Sequence, residues 1–352
     1  MQNTNVYTVI MAGGVGSRFW PASTDERPKQ FLDMLGLGRT LFQQTVDRFT
    51  RICPVENMLT VTSEMYAALV REQCPDMPAD NILTEPCMRN TAPCIAYAAW
   101  KIRQKNPDAL VVVTPADHLI SDPDVFRQTV AEGLEFVRQK PAILTLGIHP
   151  RSPETGYGYI QTTDKADKIA KVKSFREKPD RATAEAYLAS GDYFWNAGIF
   201  LWKNSVIIDA FRQYKPAIAA LFAQGEAVYY TDNEQSFINA VYPQCENISI
   251  DYAIMERADN LYVGKAEFNW SDLGTWSALW GKSEKTGEGN ACSSPQAQFY
   301  EASDNIVHVP HGKRVVIQGL DNFIVVDTGD VLMICSMKEE QRIKDFRNDS
   351  IN

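Results

Sequence analysis

Over the first 147 residues, short apolar runs rich in β-branched residues alternate with longer segments whose apolar residues repeat at helical spacing. This order constrains the fold more than any other feature, because successive strands that are joined by helices pair in parallel and are covered on both faces. The sequence therefore predicts an α/β fold on a parallel sheet. The predicted strands are VYTVIM at 6–11, MLTVT at 58–62, NIL at 81–83, ALVVVT at 109–114 and AILTLG at 142–147.

Two of the intervening segments carry helix signals. TLFQQTVDRFTRI at 40–52 has an apolar stripe, and TAPCIAYAAWKIRQ at 91–104 follows a capping Asn90 and has Pro93 in its first turn. Ligands of such sheets bind outside the carboxyl ends of the strands. We therefore expect the loops after residues 11, 84 and 114 to converge and to hold the chemistry.

The rest of the chain has a different pattern of predicted elements. Residues 150–282 mix strand-like and helical segments and predict an elaboration of the same domain, whereas the hydrophilic stretch GKSEKTGEGN at 281–290 precedes short strand-like runs. We expect one large domain at 1–283 and a small β-rich domain at 290–352 whose removal leaves the large domain folded. The C-terminal runs recur roughly every ten residues, which suits a β-roll or a β-helix as well as a sandwich.

Charge and cysteine content limit the possible partners. Lysine and arginine total 35 against 44 aspartates and glutamates, a net charge of -9, so we expect no nucleic-acid partner, and bound phosphate needs a local cluster of positive charge. The seven cysteines form no CxxC pair and no metal-ligand spacing, which is typical of reduced thiols. The first residues lack the pattern of a secretory signal, and no run approaches the ~18 apolar residues of a membrane span. We expect a cytoplasmic protein without a membrane partner.

The most informative segment, GGVGSRFWPASTDERPKQF at 13–31, directly follows the first strand. Its three glycines let backbone N–H groups wrap a polyphosphate, and two of its cations supply countercharge. These residues are Gly13, Gly14, Gly16, Arg18 and Lys29. The third glycine of the dinucleotide pattern and the GK[ST] of the Walker pattern are both missing. We interpret the segment as a phosphate loop of another kind; a glycine-rich surface turn is the alternative.

Three carboxylates occur where a ligand could use them. Asp117 follows the apolar run at 109–114, and Asp272 lies in the aromatic motif WSDLGTW. Two carboxylates from distant segments can share an Mg²⁺ that also bridges substrate phosphates, although a helix cap or a turn explains either residue alone more readily. Glu85 follows the third strand, and one ionised carboxylate can accept both N–H donors on the Watson–Crick edge of guanine.

Further motifs resemble those of the sugar-nucleotide pyrophosphorylases. GGxGxR followed ten residues later by PKQF is similar to the opening motif of that family, and the WPxS interior resembles the branch that transfers guanylyl groups to mannose 1-phosphate. The matches continue in family order with EPCMRNTAP at 85–93, TPADHLI at 114–120, TGYGYIQ at 155–161, FREKPD at 175–180, WNAGIF at 195–200, SIDYAIMER at 249–257 and WSDLGTW at 270–276. Thr24 departs from the arginine that family members often carry, so this loop has one cation fewer.

The resemblance implies a fold of the nucleotide-diphospho-sugar transferase type, with a Rossmann-like, mostly parallel sheet flanked by helices and a small C-terminal all-β domain. It implies GTP and mannose 1-phosphate as substrates, in-line attack at the α-phosphorus, GDP-mannose and pyrophosphate as products, and Mg²⁺ as cofactor. We also expect a homodimer. A sister enzyme for another base or sugar and a non-catalytic nucleotide-sugar sensor stay open as alternatives; the two metal carboxylates disfavour the sensor.

The resemblance also assigns roles to individual residues. The catalytic cations are Arg18, Lys29 and Lys178; the nucleotide-binding residues are Ala12, Gly13, Gly14, Gly16, Glu85, Asn90 and Asp117; the sugar-phosphate residues are Gly156, Glu177, Lys178 and Asn196; and the metal ligands are Asp117 and Asp272. His118 and the tryptophans at 195, 270 and 276 are expected to be structural. Asp251 and Tyr252 are secondary candidates in the sugar half, because SIDYAIMER also fits the start of a helix with an inward apolar face.

Overall fold

The computed structural model describes residues 5–164, 166–310 and 312–351. Within them the chain forms two compact units. The first takes the chain up to Gly13, Val46–Ala116 and Ile120–Trp270, and the second takes Gly14–Thr45, Asp117–Leu119 and the chain from Ser271 onward. The predicted domains at 1–283 and 290–352 divide the chain elsewhere and stay a prediction.

The described residues contain the following strands: β1 Val6–Met11, β2 Met58–Ser63, β3 Ile82–Glu85, β4 Leu110–Pro115, β5 Leu119–Ile120, β6 Ile143–Ile148, β7 Gly158–Thr162, β8 Ile169–Glu177, β9 Tyr193–Lys203, β10 Leu261–Ala266, β11 Trp270–Ser271, β12 Ala291–Cys292, β13 Ala297–Tyr300, β14 Ile306–His308, β15 Val315–Gln318, β16 Phe323–Asp327 and β17 Leu332–Ser336. The α-helices are α1 Leu41–Phe49, α2 Ala67–Gln73, α3 Thr91–Lys105, α4 Pro123–Gln139, α5 Arg181–Ser190, α6 Asn204–Tyr214, α7 Pro216–Ala223, α8 Glu234–Val241, α9 Trp276–Lys282 and α10 Ile343–Ile351. The five predicted strands are observed as β1, β2, β3, β4 and β6, and the two predicted helices as α1 and α3.

Nine of the described strands form the sheet of the first unit, in the order β3-β2-β1-β4-β9-β6-β10-β8-β7. The block from β3 to β4 is parallel, as the alternation of strands and helices predicts. Beyond β4 the sheet becomes mixed, because β9 runs antiparallel to β4 and β6, and β8 runs antiparallel to β10 and β7. The short connection from β7 to β8 contains no crossover helix, and a parallel pair would need one. The predicted mostly parallel sheet is therefore confirmed only for its first half.

Helix α3 organises the core of the first unit. Its Asn90 cap accepts a hydrogen bond from the Thr91 N–H at 3.0 Å, which confirms the predicted helix start. Trp100 of this helix is completely buried and lies against Phe211 of α6 and Phe222 of α7. The large aromatic core fixes the helices behind the sheet, so the loops at the carboxyl ends of the strands start from a rigid frame.

The second unit is strand-rich at its C-terminal end, as expected. Strand β14 pairs in parallel with β12 and β16, and β13 pairs in parallel with β15, which is the stacking of a β-helix and not of a sandwich. Buried asparagines stack inside it: Asn305 Nδ2 donates to Asn290 Oδ1 at 2.8 Å, and Asn305 Oδ1 accepts from the Phe323 N–H at 2.8 Å. These amides supply the hydrogen bonds that the buried turns need.

One apolar cluster of the second unit joins segments from both ends of the chain. Phe19, Met34 and Leu41 lie in it together with residues of α9, β12, β14, β16 and β17. The segment that carries the glycine loop is thus packed on the C-terminal strands.

Two further observations on the described residues concern membrane-spanning helices and disulfide bonds. None of the helices combines the length and the apolar composition that crossing a membrane requires. The seven cysteines are all free thiols.

Candidate active site

The carboxyl ends of β1, β3 and β4 lie at one edge of the sheet, because these strands belong to the same parallel block. Ala12 continues β1: its N–H donates to Val61 O at 2.8 Å, and its carbonyl accepts from the Thr62 hydroxyl at 2.9 Å. A Cβ atom at Gly13 would lie 3.1 Å from Glu85 Oε2. Glycine at this position therefore lets the Glu85 carboxylate approach the backbone that follows β1.

Glu85 is half-buried, and one buried phenol holds it. The Tyr242 hydroxyl donates to Glu85 Oε1 in a short hydrogen bond. Burial raises the pKa of Glu85 to about 7, although the hydrogen bond from Tyr242 acts in the opposite direction. Near neutral pH this carboxyl group is poised between its two forms, and a ligand edge with N–H donors would favour the ionised form.

Glu177 and Lys178 end β8 and offer opposite charges. Lys178 has a backbone φ of 48°, its N–H donates to Tyr157 O at 3.2 Å, and its side chain is 61% exposed. A residue with a side chain adopts this left-handed conformation only when its surroundings enforce it, and such strain collects at functional sites. Lys178 Nζ lies 3.2 Å from Glu177 Oε1, whereas the buried Glu177 Oε2 has no hydrogen-bond partner in the described part of the chain. Lys178 thus offers an accessible cation, and Glu177 holds it through Oε1.

Asn196 is hydrogen-bonded to Asp251. Its Nδ2 donates to Asp251 Oδ1 at 3.0 Å, and its Oδ1 accepts from the Thr145 hydroxyl at 2.9 Å and from the Gly198 N–H at 3.1 Å. Burial, and then the neighbouring charge of Glu177, raise the pKa of Asp251 to about 7. Asn196 is therefore a residue that holds a carboxyl group, in addition to any contact with a ligand.

The glycine loop begins in the first unit and continues in the second. Gly16 has a φ of 64°, and a Cβ atom there would lie 2.7 Å from Lys29 Cβ, so both conformation and space require glycine. The buried Ser23 hydroxyl donates to Val15 O at 3.0 Å, and Gln30 Nε2 donates to Gly14 O at 2.8 Å. The loop is thus shaped by its own later residues. A Cβ atom at Gly14 would meet nothing within 4 Å, so the backbone there is open to a ligand.

Lys29 is buried, and its ammonium group has three contacts within the second unit. Nζ lies 2.9 Å from Asp117 Oδ2 and donates to Asp272 O at 2.8 Å and to Leu273 O at 3.1 Å. Burial alone would raise the pKa of Asp117, but the charges of Lys29 and His118 lower it below its usual value. Asp117 is therefore an ionised carboxylate beside a cation, and Lys29 ties it to the chain at 272–273.

Comparison with known proteins places the chain in a family. Residues 7–289 match the sequence profile of the nucleotidyl transferases. The chain belongs to the nucleotidyl transferase family. A mannose-1-phosphate guanylyltransferase of Escherichia coli is 37% identical over 345 residues, which cover 96% of this chain and 72% of that protein, and one of Klebsiella pneumoniae shows the same values. A crystal structure from Thermus thermophilus, described as a mannose-1-phosphate geranyltransferase, matches with a TM-score of 0.89 at 28% identity and covers 99% of this chain and 100% of that chain.

These relatives confirm the resemblance that the motifs indicate: the chain is a nucleotidyltransferase of the mannose-1-phosphate guanylyltransferase type.

Asp272 and Arg18 of this nucleotidyltransferase lie on either side of Gly274. Asp272 Oδ1 accepts from the Gly274 N–H at 3.0 Å, and a Cβ atom at Gly274 would lie 2.6 Å from Asp272 Oδ2 and 3.2 Å from Arg18 Nη1. The glycine thus leaves room for both side chains. Arg18 is exposed, so its guanidinium can reach an anion from solvent.

The tryptophans predicted to be structural are buried. Tyr157 packs edge-on against Trp195 and Trp270, with ring centroids 5.2 and 5.3 Å apart, and Trp276 packs on Phe19 at 5.0 Å. These rings are used in packing, as the sequence analysis expects.

Sequence reasoning missed Gly158 and Tyr242, and it did not predict the contact between Asp251 and Asn196. A Cβ atom at Gly156 meets nothing within 4 Å, whereas one at Gly158 would collide with Glu177 Oε2, so Gly158 is the glycine that the carboxylate requires. The motif TGYGYIQ contains both glycines, but the motif alone does not show which of them lies against a carboxylate. Asp251 begins a π-helical turn at Asp251–Met255, a feature that is often functional but that periodicity does not reveal.

Proposed function

We propose that the chain transfers a guanylyl group from GTP to α-D-mannose 1-phosphate, with release of pyrophosphate and formation of GDP-mannose. The observation that carries the proposal is the similarity to relatives named mannose-1-phosphate guanylyltransferase over 96% of the chain. The side chains at the carboxyl edge of the first unit's sheet support it, because they offer acceptors for the donors of a base and a sugar.

The proposed reaction needs no enzyme nucleophile. A phosphate oxygen of mannose 1-phosphate attacks the α-phosphorus of GTP in line, the bond to the β-phosphate oxygen breaks, and pyrophosphate leaves with that electron pair. Both reactants are anions, so the work of the protein is alignment and neutralisation of charge. We assign Lys178 to the sugar phosphate and Arg18, with the backbone of Gly14 and Gly16, to the triphosphate.

Lys29 receives a narrower role than its sequence position suggests. Its three contacts in the second unit are to Asp117, Asp272 and Leu273. We propose that Lys29 supports phosphate binding indirectly: it holds Asp117 and the 272–273 backbone in place, and it keeps Asp117 ionised. Contact with the triphosphate would require it to exchange one of these partners.

We propose Mg²⁺ as the cofactor, held by Asp117 and Asp272. The donor chemistry fits, since Mg²⁺ binds through one or two carboxylates together with substrate phosphates and water. The described residues hold no group of three or more His, Cys, Asp or Glu side chains that would form a full protein cage. When bound, the ion would supply positive charge that neutralises the charge developing on the phosphates.

We propose that Glu85 selects the base. Its carboxylate can accept both N–H donors of guanine, whereas adenine presents one donor beside an acceptor. We assign Glu177 to the mannose side of the site, where a carboxylate would accept hydrogen bonds from hydroxyl groups.

The deciding experiment measures pyrophosphate release for all pairs of the four nucleoside triphosphates with mannose 1-phosphate and glucose 1-phosphate. We expect GTP with mannose 1-phosphate to be turned over fastest. A faster reaction of another pair would favour the sister enzyme, and no release from any pair would favour the nucleotide-sugar sensor. As a control, Asp272→Asn is assayed over a range of magnesium chloride concentrations. Slower pyrophosphate release by this variant would show that this protein catalyses the reaction.

We further propose a cytoplasmic homodimer that binds neither nucleic acid nor membrane. Free cysteines and the net charge of -9 support the location and the absence of a nucleic-acid partner. The C-terminal strands leave large apolar side chains exposed, and a second copy of the chain would cover them. These residues are Tyr300, Val316, Leu332 and Ile334.

A further inference from the structure

Tyr242 belongs to no motif, yet it is the side chain that contacts Glu85 most closely. Its ring is completely buried, with its centroid 6.0 Å from that of Phe222, and its hydroxyl donates to Glu85 Oε1. Burial, and then the charge of Glu85, raise the pKa of Tyr242 well above its ordinary value. The phenol therefore keeps its proton at working pH and is the donor to the ionised Glu85 carboxylate.

The fold fixes Tyr242 through α8, the helix that directly precedes it. Glu234 begins α8 and is buried; it accepts from Lys101 Nζ at 2.6 and 2.7 Å and from the Tyr97 hydroxyl at 2.6 Å, both on α3. This ion pair and phenol bond anchor the start of α8 to the main core helix.

The same helix is also tied to the strand that ends in Glu85. Gln235, the second residue of α8, accepts from the Thr84 hydroxyl at 2.7 Å. Thr84 immediately precedes Glu85, so the phenol and the carboxylate are held at a fixed separation from both sides. A hydrogen bond that is built in this way selects one carboxylate orientation.

We propose that Tyr242 is the positioning residue for base selection: its hydroxyl holds the Glu85 carboxylate in one orientation, beside Gly13, as a group that only accepts hydrogen bonds. The inference rests on the proposed function, because it deepens the role given there to Glu85. An acceptor-only group matches the two donors of guanine, whereas a protonated carboxyl group would direct an O–H toward one of them.

Loss of the phenol hydroxyl would therefore act on both orientation and charge. The titratable groups that bear on Glu85 among the described residues are Tyr242 and Cys94, a buried thiol whose pKa is raised by burial and by Glu85 itself. Neither is a cation. Without the donated hydrogen bond, burial acts on Glu85 alone, and its pKa rises further.

The test compares Tyr242→Phe with Tyr229→Phe. Both substitutions remove one hydroxyl from a buried ring near Phe222, but the Tyr229 hydroxyl donates to Phe222 O at 2.8 Å and, within the described part of the chain, does not contact Glu85. Calorimetry at pH 7 gives the affinities for GTP and ATP, and kcat/KM for GTP is followed from pH 5.5 to 8.5.

For Tyr242→Phe we expect the GTP-over-ATP affinity ratio to fall about tenfold, the size of one lost hydrogen bond to a charged group. We also expect the acidic limb of the GTP kcat/KM profile to move to higher pH. Tyr229→Phe should change neither quantity. In a Glu85→Gln background, Tyr242→Phe should cause no further shift of the acidic limb, because the titrating group is gone.

Three outcomes overturn the inference. They are an unchanged ratio and limb in Tyr242→Phe, an equal change in Tyr229→Phe, or a shifted limb that persists in the Glu85→Gln background. Pyrophosphate release by the wild-type protein is a separate result. If the wild-type protein releases pyrophosphate from GTP and mannose 1-phosphate while Tyr242→Phe behaves as wild type, the proposed role of Tyr242 is wrong and the proposed function is retained. A wild-type protein that binds GTP no better than ATP overturns both.

Discussion

Replacing Lys29 with methionine tests whether this buried lysine holds Asp117 and the chain at 272–273 together. Methionine keeps the length and the apolar stem but removes the charge and the three donors. The ammonium contacts with Asp117 Oδ2 at 2.9 Å, Asp272 O at 2.8 Å and Leu273 O at 3.1 Å are then lost together. The partners stay where the fold puts them, so they lose a bond without regaining full hydration.

The magnitude follows from the burial of these partners. Removing one member of a buried ion pair costs about 3 to 5 kcal/mol, because the remaining charge is left uncompensated. The Asp117 side chain keeps 33% of its exposure and can regain part of its hydration, whereas Leu273 is completely buried. We therefore expect the free energy of unfolding to fall by about 3 kcal/mol, the lower end of that range.

Urea denaturation followed by tryptophan fluorescence measures this loss. The matched control is Lys338→Met, which removes an exposed lysine from the same unit and should change the free energy by less than about 0.5 kcal/mol. A loss below about 1 kcal/mol for Lys29→Met would refute the reasoning, because it would show that the contacts of Lys29 contribute no more than a surface pair.

The loss should also depend on pH in a defined direction. The folded-state pKa of Asp117 is depressed, so its stabilising effect is fully present above the ordinary aspartate value of about 4 and is lost as the pH falls through the folded-state value. Without Lys29, burial raises the pKa of Asp117, so the carboxyl group of the variant takes up a proton at a higher pH than that of wild type. The difference between wild type and Lys29→Met should thus be largest at neutral to alkaline pH and shrink as the pH falls. A difference that grew on acidification would contradict the ion pair.

Four further predictions concern activity and domain structure. Lys178→Ala should raise the KM for mannose 1-phosphate about tenfold with little effect on that for GTP and no effect on stability, since this side chain is 61% exposed; steady-state kinetics with each substrate varied checks this. Glu85→Gln should lower the GTP-over-ATP ratio of kcat/KM by about tenfold, and an unchanged ratio would mean that other groups read the base. Asp117→Asn and Asp272→Asn should each lower magnesium-dependent turnover by about a hundredfold, and Asp117→Asn should also lower the urea midpoint, because its carboxylate pairs with Lys29; full activity of either variant in the presence of a chelator would contradict the metal assignment. Truncation after residue 284 should yield protein in which residues 14–45 are rapidly cleaved by protease, because the apolar cluster around Phe19 loses its C-terminal members. If residues 14–45 of the truncated protein stayed resistant to protease, the result would favour the division into domains at 1–283 and 290–352.

The features that could be predicted from the sequence are local ones. Strands β1 to β4 and the Asn90 cap follow from periodicity and capping rules that operate within one or two turns of chain. The antiparallel half of the sheet did not follow, because strand direction depends on how the chain returns and not on the composition of each strand.

The partners of the candidate site residues could not be predicted, for a physical reason. Tyr242 lies 157 residues from Glu85, and Lys29 lies 243 residues from Asp272. No spacing rule connects such positions, since the folded core brings them together. The motifs marked which residues carry chemistry, and tertiary packing decides which charge state each of them has.

Packing divides the carboxylates of this chain into two chemical classes. Asp117 lies beside Lys29 and has a lowered pKa, so it stays ionised over the whole working range, as a ligand of a hard cation must. Glu85 and Asp251 are desolvated, and each has a pKa raised to about 7. Their hydrogen bonds from Tyr242 and Asn196 are only partial compensation, so N–H or O–H donors of a ligand would complete their solvation. Metal affinity should consequently be insensitive to pH between 6 and 8, whereas affinity for the base should rise over the same interval as Glu85 ionises.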